Sequence, residues 1–310
     1  ELPWSSAGRA HAVYRVYRGL GEAMRAAPEP VAELGARVAS VALTTGRRDS
    51  RANYARSLRR VLGPDLDDAE VRSWTRRAFR YYGRYWLEGA RLPAVAPELV
   101  RQRFHLESGR DHLDAAMAAG QGAVMALPHV GAWEWGAAWL ALEGYPMTAV
   151  AEVLEPPELD EWFVSQRQAI GLTIVPLGSG AGGVLLKTLG DGKLVGLLCD
   201  RDIEGNGVDV EFFGERTTLP AGPAVLGLRT GAPILPTAVY AGPGRDHTAV
   251  ILPPVPAVRR GRLRDDVARV TQDVARALEV LIRRAPDQWY MFQPNWPSDR
   301  CALPSTAPTA

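Results

Sequence analysis

The stretch AVMALPHVGAWEWGAAWLAL, residues 123–142, decides the fold because it joins a strand-like run to a helix-like run through a short turn. Residues 123–127 favour a buried β-strand, and residues 133–143 favour a buried helix. His129 and Glu134 are the two charged or titratable side chains in this otherwise apolar stretch. A strand followed directly by a turn and a helix is typical of α/β proteins.

The same alternation continues along the rest of the chain. Further strand-like runs are TAVA (148–151), TIVPL (173–177), LVGLLC (194–199), VDVEFF (208–213), ILPTAVY (234–240) and TAVILPP (248–254). Helix-like segments lie at about 157–170, 182–190, 221–230 and 263–284. This order predicts an α/β fold in which a central, mainly parallel β-sheet is flanked by helices.

The first third of the chain predicts a helical N-terminal extension. Apolar residues recur there at helical spacing, and a second helix is predicted from Asp67 and Asp68, which suit a helix N-terminus, to about Gly89. This second helix mixes aromatic residues with arginines, which is typical of a helix at a membrane interface. A helix that packs inside the domain would show the same mixture. We therefore predict a helical part over residues 9–90 and interpret it as membrane-facing.

Length and composition favour a single domain. The chain has 310 residues, of which 46% are hydrophobic, so it can bury a large core. We predict one α/β domain over residues 1–298 and a flexible tail over 299–310, where Pro, Ser, Thr and Ala dominate. No apolar run reaches the roughly 18 residues that a membrane-spanning helix needs. The two cysteines, Cys199 and Cys301, argue against a disulfide framework and favour a reducing compartment.

The charge is distributed unevenly along the chain. Residues 1–110 carry 20 arginines against 12 acidic residues, whereas residues 111–310 carry 16 basic against 23 acidic residues. A basic first third fits an acidic partner such as an anionic membrane surface or a nucleic acid. A genome of high GC content, which favours arginine codons, or the charge needed on solvated helix faces would explain this basic first third equally well. No nucleic-acid recognition module is present in the sequence, so no nucleic-acid partner is predicted.

His129 and Glu134 can act together only in one arrangement. Residues five apart on a regular helix are rotated by about 140°, so the two side chains meet only if His129 lies in the turn and Glu134 in the first helical turn. Active sites of open α/β sheets lie at the carboxyl ends of the strands, which is where His129 is predicted. A neutral imidazole there can accept a proton from a hydroxyl group. The alternative is a structural histidine beside a helix-start acid.

The sequence resembles a known enzyme family. HVGAWE has the H-x4-D/E pattern of the glycerolipid acyltransferase superfamily, in its glutamate form. The segments LPHVGAWEWGAAWL, TAVAEVLEPPELDEWFVSQRQAIGLTIVPL, LLCDRDIEGNGVDVEFFGERTTLPAGPAVLGLRTGAPILP and WYMFQPNW resemble the bacterial lipid A acyltransferase branch. Within that branch they are most similar to the actinobacterial phosphatidylinositol mannoside acyltransferases. The resemblance covers roughly residues 10–298.

The resemblance implies an acyl-CoA-dependent O-acyltransferase of glycolipid and phospholipid metabolism in the cell envelope. It would move a fatty acyl group, typically palmitoyl, to a mannose hydroxyl of a phosphatidylinositol mannoside. Acyl-CoA is the co-substrate, and no cofactor or metal is expected. The family places its enzymes peripherally on the cytoplasmic face of the plasma membrane, with an apolar groove for the acyl chain. Another glycolipid or a lysophospholipid is the alternative acceptor.

The resemblance also implies roles for three residues in the reaction. His129 corresponds to the catalytic histidine of the family and would be the general base, and Glu134 corresponds to the acid of the motif. Asp200, within CDRD, stands where the family uses an acidic residue to support the histidine, a position held by glutamate in some relatives. We expect Glu134 and Asp200 to orient His129 and to stabilise its positive charge.

Further residues are predicted to bind the substrates. The resemblance implies an ion pair between Glu152 and Arg167 near the substrate. The tetrahedral oxyanion of acyl transfer needs hydrogen-bond donors, which Arg201 or backbone N–H groups would supply. Helical core is the favoured role for each of three tryptophans of the central stretch, and lining the acyl groove is the alternative, which we assign to Trp133 as a substrate-binding residue: Trp133, Trp135 and Trp139.

Three other functions compete with the acyltransferase interpretation. GSGAGG (178–183) matches G-x-G-x-x-G after a predicted strand, and Asp200 follows about 20 residues later, as in a dinucleotide-binding site. A lipid carrier without activity would share the apolar groove but would not need a base at a strand end. Metal-dependent hydrolysis has no support, because the five histidines show neither H-E-x-x-H nor Cys-His spacing.

Overall fold

A seven-stranded β-sheet forms the centre of the protein, in the strand order β1-β9-β8-β2-β5-β3-β4. The computed structural model describes residues 6–301 and, within them, the side chains of residues 11, 12, 14–41 and 44–300. Neighbouring strands are parallel except for the antiparallel pair β8 and β9, and β6 and β7 form a separate antiparallel hairpin. The strands are β1 Phe104–Ser108, β2 Ala123–Leu127, β3 Met147–Ala151, β4 Thr173–Pro176, β5 Leu194–Leu198, β6 Val208–Phe212, β7 Glu215–Leu219, β8 Ile234–Ala241 and β9 His247–Ile251.

Helices cover both faces of the sheet. They are α1 Ser6–Ala26, α2 Glu29–Gly46, α3 Arg48–Leu62, α4 Asp68–Arg91, α5 Pro97–Arg103, α6 Arg110–Ala118, α7 Trp133–Leu142, α8 Pro157–Gln168, α9 Ala181–Gly190, α10 Gly222–Thr230, α11 Leu263–Arg284 and α12 Pro297–Cys301. Successive residues of β2 face opposite sides, so Val124 belongs to the core that includes α10 and α11, and Met125 to the core that includes α7. The predicted α/β class with a mainly parallel sheet is confirmed.

The register of β2 and β5 determines where the active site can form. Ala123 pairs with Leu194 and Leu127 with Leu198, and both strands are buried, which suits their continuous apolar sequences. The N–H group of Cys199 donates to the carbonyl of Leu127 just beyond the strands. The residues that follow the two strands therefore leave the sheet side by side.

The aromatic residues of α4 pack inward. Its N-terminus has a capping box in which the side chain of Asp67 accepts hydrogen bonds from the N–H groups of Ala69 and Glu70, as the predicted helix start at 67–68 requires. Phe79 is buried with its ring centroid 4.7 Å from that of Phe292, which lies in the C-terminal segment. Phe79 therefore packs inside the domain, as the packing alternative expects, and the membrane-facing interpretation of residues 9–90 stays a prediction.

The exposed apolar side chains of the N-terminal part lie on α1 and α2 instead. Val16 and Leu20 on α1 are 66% and 54% exposed. Val31, Leu34, Val38 and Val41 recur on one face of α2 and are 60–64% exposed. Within residues 6–301, no helix is both long enough and apolar enough to cross a bilayer.

The ordered part of the chain extends past the predicted boundary at residue 298. Asp299 in α12 is fully buried, and its carboxylate accepts hydrogen bonds from Arg56, Arg60 and the backbone N–H groups of Asn295 and Trp296. These bonds attach α12 to α3, so the predicted tail begins too early. Residues 302–310 of that tail lie outside the described residues.

Candidate active site

The turn after β2 carries His129 and is held by hydrogen bonds on two sides. The N–H group of Ala132 donates to the carbonyl of Val239 in β8. On the other side, the N–H of Gly131 donates to the carbonyl of Gln288, and the N–H of Tyr290 donates to the carbonyl of His129. The turn therefore lies between β8 and the C-terminal segment 288–290, as expected for a turn at the carboxyl end of a strand.

Gly131 makes this turn sterically feasible. Its φ of 59° lies in the left-handed region, and a Cβ atom at this position would overlap the carbonyl oxygen of Val239. Glycine is therefore required by both the backbone conformation and the close approach to β8.

Asp200 is the hydrogen-bond partner of His129. It lies two residues after the end of β5, is fully buried, and its Oδ1 lies 2.5 Å from Nδ1 of His129. Its Oδ2 accepts a hydrogen bond of 2.9 Å from the backbone N–H of His129. The aspartate thus contacts both the ring and the main chain of the histidine. The predicted proximity of His129 and Asp200 is confirmed.

Electrostatics keep Asp200 ionised. Burial alone would raise the pKa of this carboxyl group, but the charge and hydrogen bond of His129, together with the N–H groups around it, lower the pKa below its ordinary value. An ionised carboxylate only accepts hydrogen bonds, so Nδ1 of His129 must carry the proton. In the neutral form of the ring the lone pair is then on Nε2, and the side chain is 29% exposed.

Two C-terminal residues also bind Asp200, and the sequence pattern did not predict them. The indole Nε1 of Trp289 donates to Oδ2 of Asp200 over 2.7 Å, and Nδ2 of Asn295 donates to the backbone carbonyl of Asp200 over 3.0 Å. Both residues are buried. The one signal in the sequence was the WYMFQPNW segment, which carried the resemblance but no assigned chemistry.

Glu134 lies in the first turn of α7, as predicted, but forms a cluster separate from the His129–Asp200 pair. Its Oε1 accepts a hydrogen bond of 2.9 Å from the hydroxyl of Tyr85 and lies 3.6 Å from Arg167. Burial raises the pKa of Glu134, although Arg167 and Tyr85 oppose this shift. Its Oε2 is buried and has no hydrogen-bond partner among the described residues. An acceptor oxygen is therefore unoccupied there.

The predicted ion pair between Glu152 and Arg167 does not form. Arg167, on α8, lies over the rings of Trp133 and Phe163, at 5.5 and 5.8 Å from their centroids, and this stacking directs its guanidinium toward Glu134. Glu152 follows β3, which neighbours β5 in the sheet. Glu152 therefore lies beside Arg201, which follows Asp200, and the two side chains pair at 3.8 Å.

Arg201 is only partly satisfied by its neighbours. Its Nη1 donates to the side chain of Gln293, while its Nε is buried and has no hydrogen-bond partner within the described part of the chain. The side chain is 22% exposed. A donor is thus available next to the His129–Asp200 pair.

A narrow apolar cavity of about 20 Å³ lies between α7 and the sheet. Trp133 and Trp139 line it. Trp135 instead stacks on His247, with ring centroids 4.2 Å apart, which agrees with the helical-core interpretation of this residue. Other lining residues come from the strands: Phe104, Met125, Leu127, Met147 and Val239.

The competing functions fit the geometry less well. GSGAGG follows β4, which is an edge strand, whereas a dinucleotide fingerprint follows a central strand. Asp200 is bonded to His129 and Trp289, so it is not available to a ribose. Across residues 6–301, no three His, Cys, Asp or Glu side chains are grouped as metal ligands would be. Cys199 is buried, and burial raises the pKa of its thiol, which argues against a nucleophilic role.

Comparison with known proteins assigns the family. The family model for bacterial lipid A biosynthesis acyltransferase matches residues 8–298. A relative from Mycobacterium tuberculosis (strain ATCC 25618 / H37Rv), a phosphatidylinositol mannoside acyltransferase, is 40% identical over 222 residues, or 70% of this chain and 68% of that protein. A phosphatidylinositol mannoside acyltransferase from Mycolicibacterium smegmatis (strain ATCC 700084 / mc(2)155) is 35% identical over 286 residues, or 89% of this chain and 88% of that protein. The predicted resemblance is confirmed: the chain belongs to the bacterial lipid A biosynthesis acyltransferase family.

Proposed function

We propose that this acyltransferase moves a fatty acyl group, palmitoyl in the main case, from acyl-CoA to a mannose hydroxyl of a phosphatidylinositol mannoside, with His129 as general base. The observation that carries the proposal is the His129–Asp200 pair at the carboxyl ends of β2 and β5, beside an apolar cavity. The acceptor is suggested by the relatives, which are named for this lipid.

The chemistry follows from the state of His129. Nε2 takes the proton of the mannose hydroxyl while the oxygen attacks the thioester carbonyl carbon. Asp200 holds the Nδ1 proton and stabilises the imidazolium that forms. The C–S bond then breaks, the ester remains on the sugar, and the CoA thiolate leaves and takes up the proton from the imidazolium. A free thiol has a pKa near 8.5, so this leaving group departs readily.

The Glu134 cluster is suited to position the sugar. Oε2 of Glu134 has no hydrogen-bond partner among the described residues, and the side chain of Arg167 beside it is 23% exposed. Sugar hydroxyls donate and accept hydrogen bonds, so they match such a pair. Arg201, with its unpaired Nε, is proposed to donate to the tetrahedral oxyanion or to a phosphate of CoA.

The cavity under α7 is the proposed acyl site. Its volume corresponds to about one or two water molecules, so entry of a long acyl chain requires α7 and the sheet to separate. The lining is apolar and begins near Leu127, which precedes the catalytic turn. The thioester end of a bound chain would then lie close to His129.

The surface of α1 and α2 supports peripheral attachment to the cytoplasmic face of the plasma membrane. α1 packs against α4 and α8, the two helices that supply Tyr85 and Arg167, so this surface neighbours the Glu134 cluster. Its exposed apolar side chains can enter the acyl boundary of a bilayer, and nearby exposed arginines can meet anionic head groups. These arginines are Arg15, Arg18, Arg37, Arg47 and Arg48.

The test is acyl transfer from radiolabelled palmitoyl-CoA to purified phosphatidylinositol mannosides, followed by separation of the lipids. We expect labelled acyl-mannoside from the wild type and a loss of about 10²- to 10⁴-fold in His129→Ala. His105→Ala, which removes an exposed histidine on β1, is the control and retains activity.

Two results would contradict parts of the proposal. If the wild type releases CoA only with another glycolipid or with a lysophospholipid, the acceptor is wrong and the acyltransferase chemistry stands. If His129→Ala acylates as well as the wild type, the role of His129 as base is wrong. Lipid binding without any transfer would favour a lipid carrier.

A further inference from the structure

Three hydrogen bonds end on the carboxylate of Asp200, and one of them comes from outside the strand–turn–helix unit. Oδ1 receives the ring Nδ1 of His129, whereas Oδ2 receives both the backbone N–H of His129 and the indole N–H of Trp289. Asp200 is 0% exposed and Trp289 is 1% exposed, so water cannot replace the indole donor.

The backbone around Trp289 is fixed to the catalytic turn. The N–H of Tyr290 donates to the carbonyl of His129, and the N–H of Gly131 donates to the carbonyl of Gln288. The side chain of Gln288 in turn exchanges two hydrogen bonds with the backbone of Ala241 at the end of β8. Trp289 is thereby held at a defined distance from Asp200.

We propose that Trp289 is a positioning residue of the acyl-transfer reaction, because its indole N–H fixes the Asp200 carboxylate in the orientation that directs Oδ1 to His129. This inference rests on the proposed role of His129 as base. Trp289 does not touch the substrates; it acts through Asp200. The segment 288–290 is then part of the catalytic machinery, although no chemistry was predicted for it.

Loss of the indole N–H should affect the base in two ways. The carboxylate becomes freer to rotate, so fewer molecules hold His129 in the reactive orientation. It also loses a donor that disperses its charge, so it binds the imidazolium more tightly, and His129 loses its proton only at higher pH. A residue that served packing alone would change neither property.

The test compares Trp289→Phe with Trp296→Phe. Both tryptophans are fully buried in the same C-terminal segment, and each donates one indole hydrogen bond, Trp296 to the carbonyl of Phe212 over 3.2 Å. At either position phenylalanine keeps an apolar ring, removes the indole donor and leaves a smaller side chain. The control variant therefore has a comparable packing defect without the bond to Asp200.

Two measurements decide the outcome. In Trp289→Phe, kcat for acyl transfer should fall about tenfold, the effect of one hydrogen bond to a charged group, with the acid limb of the pH profile moved to higher pH. In ¹⁵N-histidine NMR, with His129→Ala for assignment, the ring of His129 should titrate at higher pH than in the wild type. Trp296→Phe should change neither.

If both tryptophan variants lose activity equally and the titration of His129 stays unchanged, Trp289 is structural and the inference is wrong. The NMR measurement needs no acceptor lipid. It therefore decides the role of Trp289 even if the phosphatidylinositol mannoside assignment fails.

Discussion

Gly131 is the residue on which the geometry of the catalytic turn depends most directly. Gly131→Ala adds a Cβ atom that would overlap the carbonyl oxygen of Val239, in addition to the strain of a positive φ. Gly205→Ala is a matched control, since Gly205 has a φ of 71° but open space around it. We expect Gly205→Ala to cost about 1 kcal/mol of unfolding free energy and Gly131→Ala more than about 3 kcal/mol. Urea unfolding measures both, and equal losses would exclude the contact with β8 as the cause.

Asp200→Asn removes the charge that supports His129 while keeping the shape of the side chain. We expect acyl transfer to fall roughly 10²- to 10⁴-fold. Because the pKa of Asp200 is lowered in the folded protein, the charged form stabilises the fold above the ordinary aspartate pKa, and this contribution is lost as the pH falls through the native value.

The stability difference between wild type and Asp200→Asn should therefore be largest at neutral pH and shrink below about pH 4. Denaturant titrations at several pH values measure it. A difference that grows on acidification would contradict the assigned charge state of Asp200.

The two central residues of the site were accessible from the sequence, and their supporting residues were not. His129 and Asp200 each follow an apolar strand, and such strand ends meet at one edge of a parallel sheet. Tyr85 and Trp289 reach the site from positions 49 and 89 residues away from their partners Glu134 and Asp200. Local periodicity carries no information about contacts of that separation.

At the scale of elements, strands with continuous apolar sequences were predicted and polar strands were missed. β2 matches its predicted range because AVMAL is buried on both faces. FHLES forms the edge strand β1 and ERTTL forms β7 of the hairpin, and both carry polar residues that are not buried, so their sequences resemble loops. Their strand structure comes from pairing with a partner strand.

The proposed acyl site under α7 is lined on one side by β3, and we predict that a residue of this strand limits acyl-chain length. Met147 lines the cavity and pairs with Leu194, which also pairs with Ala123. Ala123, which lies across the sheet from Met147, precedes His129 by six residues. At about 3.3 Å per residue, this separation corresponds to roughly 20 Å. Met147→Ala should shift the preferred donor to longer acyl chains.

The measurement for Met147→Ala is competition between acyl-CoA esters of different chain length. Met117→Ala, in α6, is the control, because Met117 lines a separate surface cavity of about 520 Å³. Met147 is buried, so Met147→Ala should lose about 2–5 kcal/mol of stability, whereas Met117 is half-buried, and activity is therefore compared as a ratio between donors. An unchanged ratio in Met147→Ala would place the end of the groove elsewhere.

At the scale of the whole molecule, the N-terminal helices present one face to the core and another to the surroundings. The sequence predicted a membrane-facing helical part over residues 9–90, a range that includes both α2 and the aromatic helix α4. The structure exposes the aliphatic face of α2, whereas Phe79 of α4 packs on the C-terminal segment. Which face of a helix is covered depends on its neighbours in the fold.

The double variant Leu34→Asp and Val38→Asp should lose binding to anionic vesicles, because two carboxylates replace side chains that would enter the bilayer. Val280→Asp alters an equally exposed valine, 58% accessible on α11, and should bind like the wild type. Vesicle sedimentation measures binding, and acyl transfer in detergent micelles serves as the folding control. Equal loss in both variants would indicate a general effect of negative charge.

Residues 288–290 form hydrogen bonds with the turn that carries His129, and they are added late during synthesis of the chain. A nascent chain that has reached residue 287 already contains His129, Asp200 and every strand of the sheet. It lacks the indole donor and the backbone partner of the turn. The proposed base therefore gains its full set of hydrogen bonds only after residues 288–290 have been added to the chain.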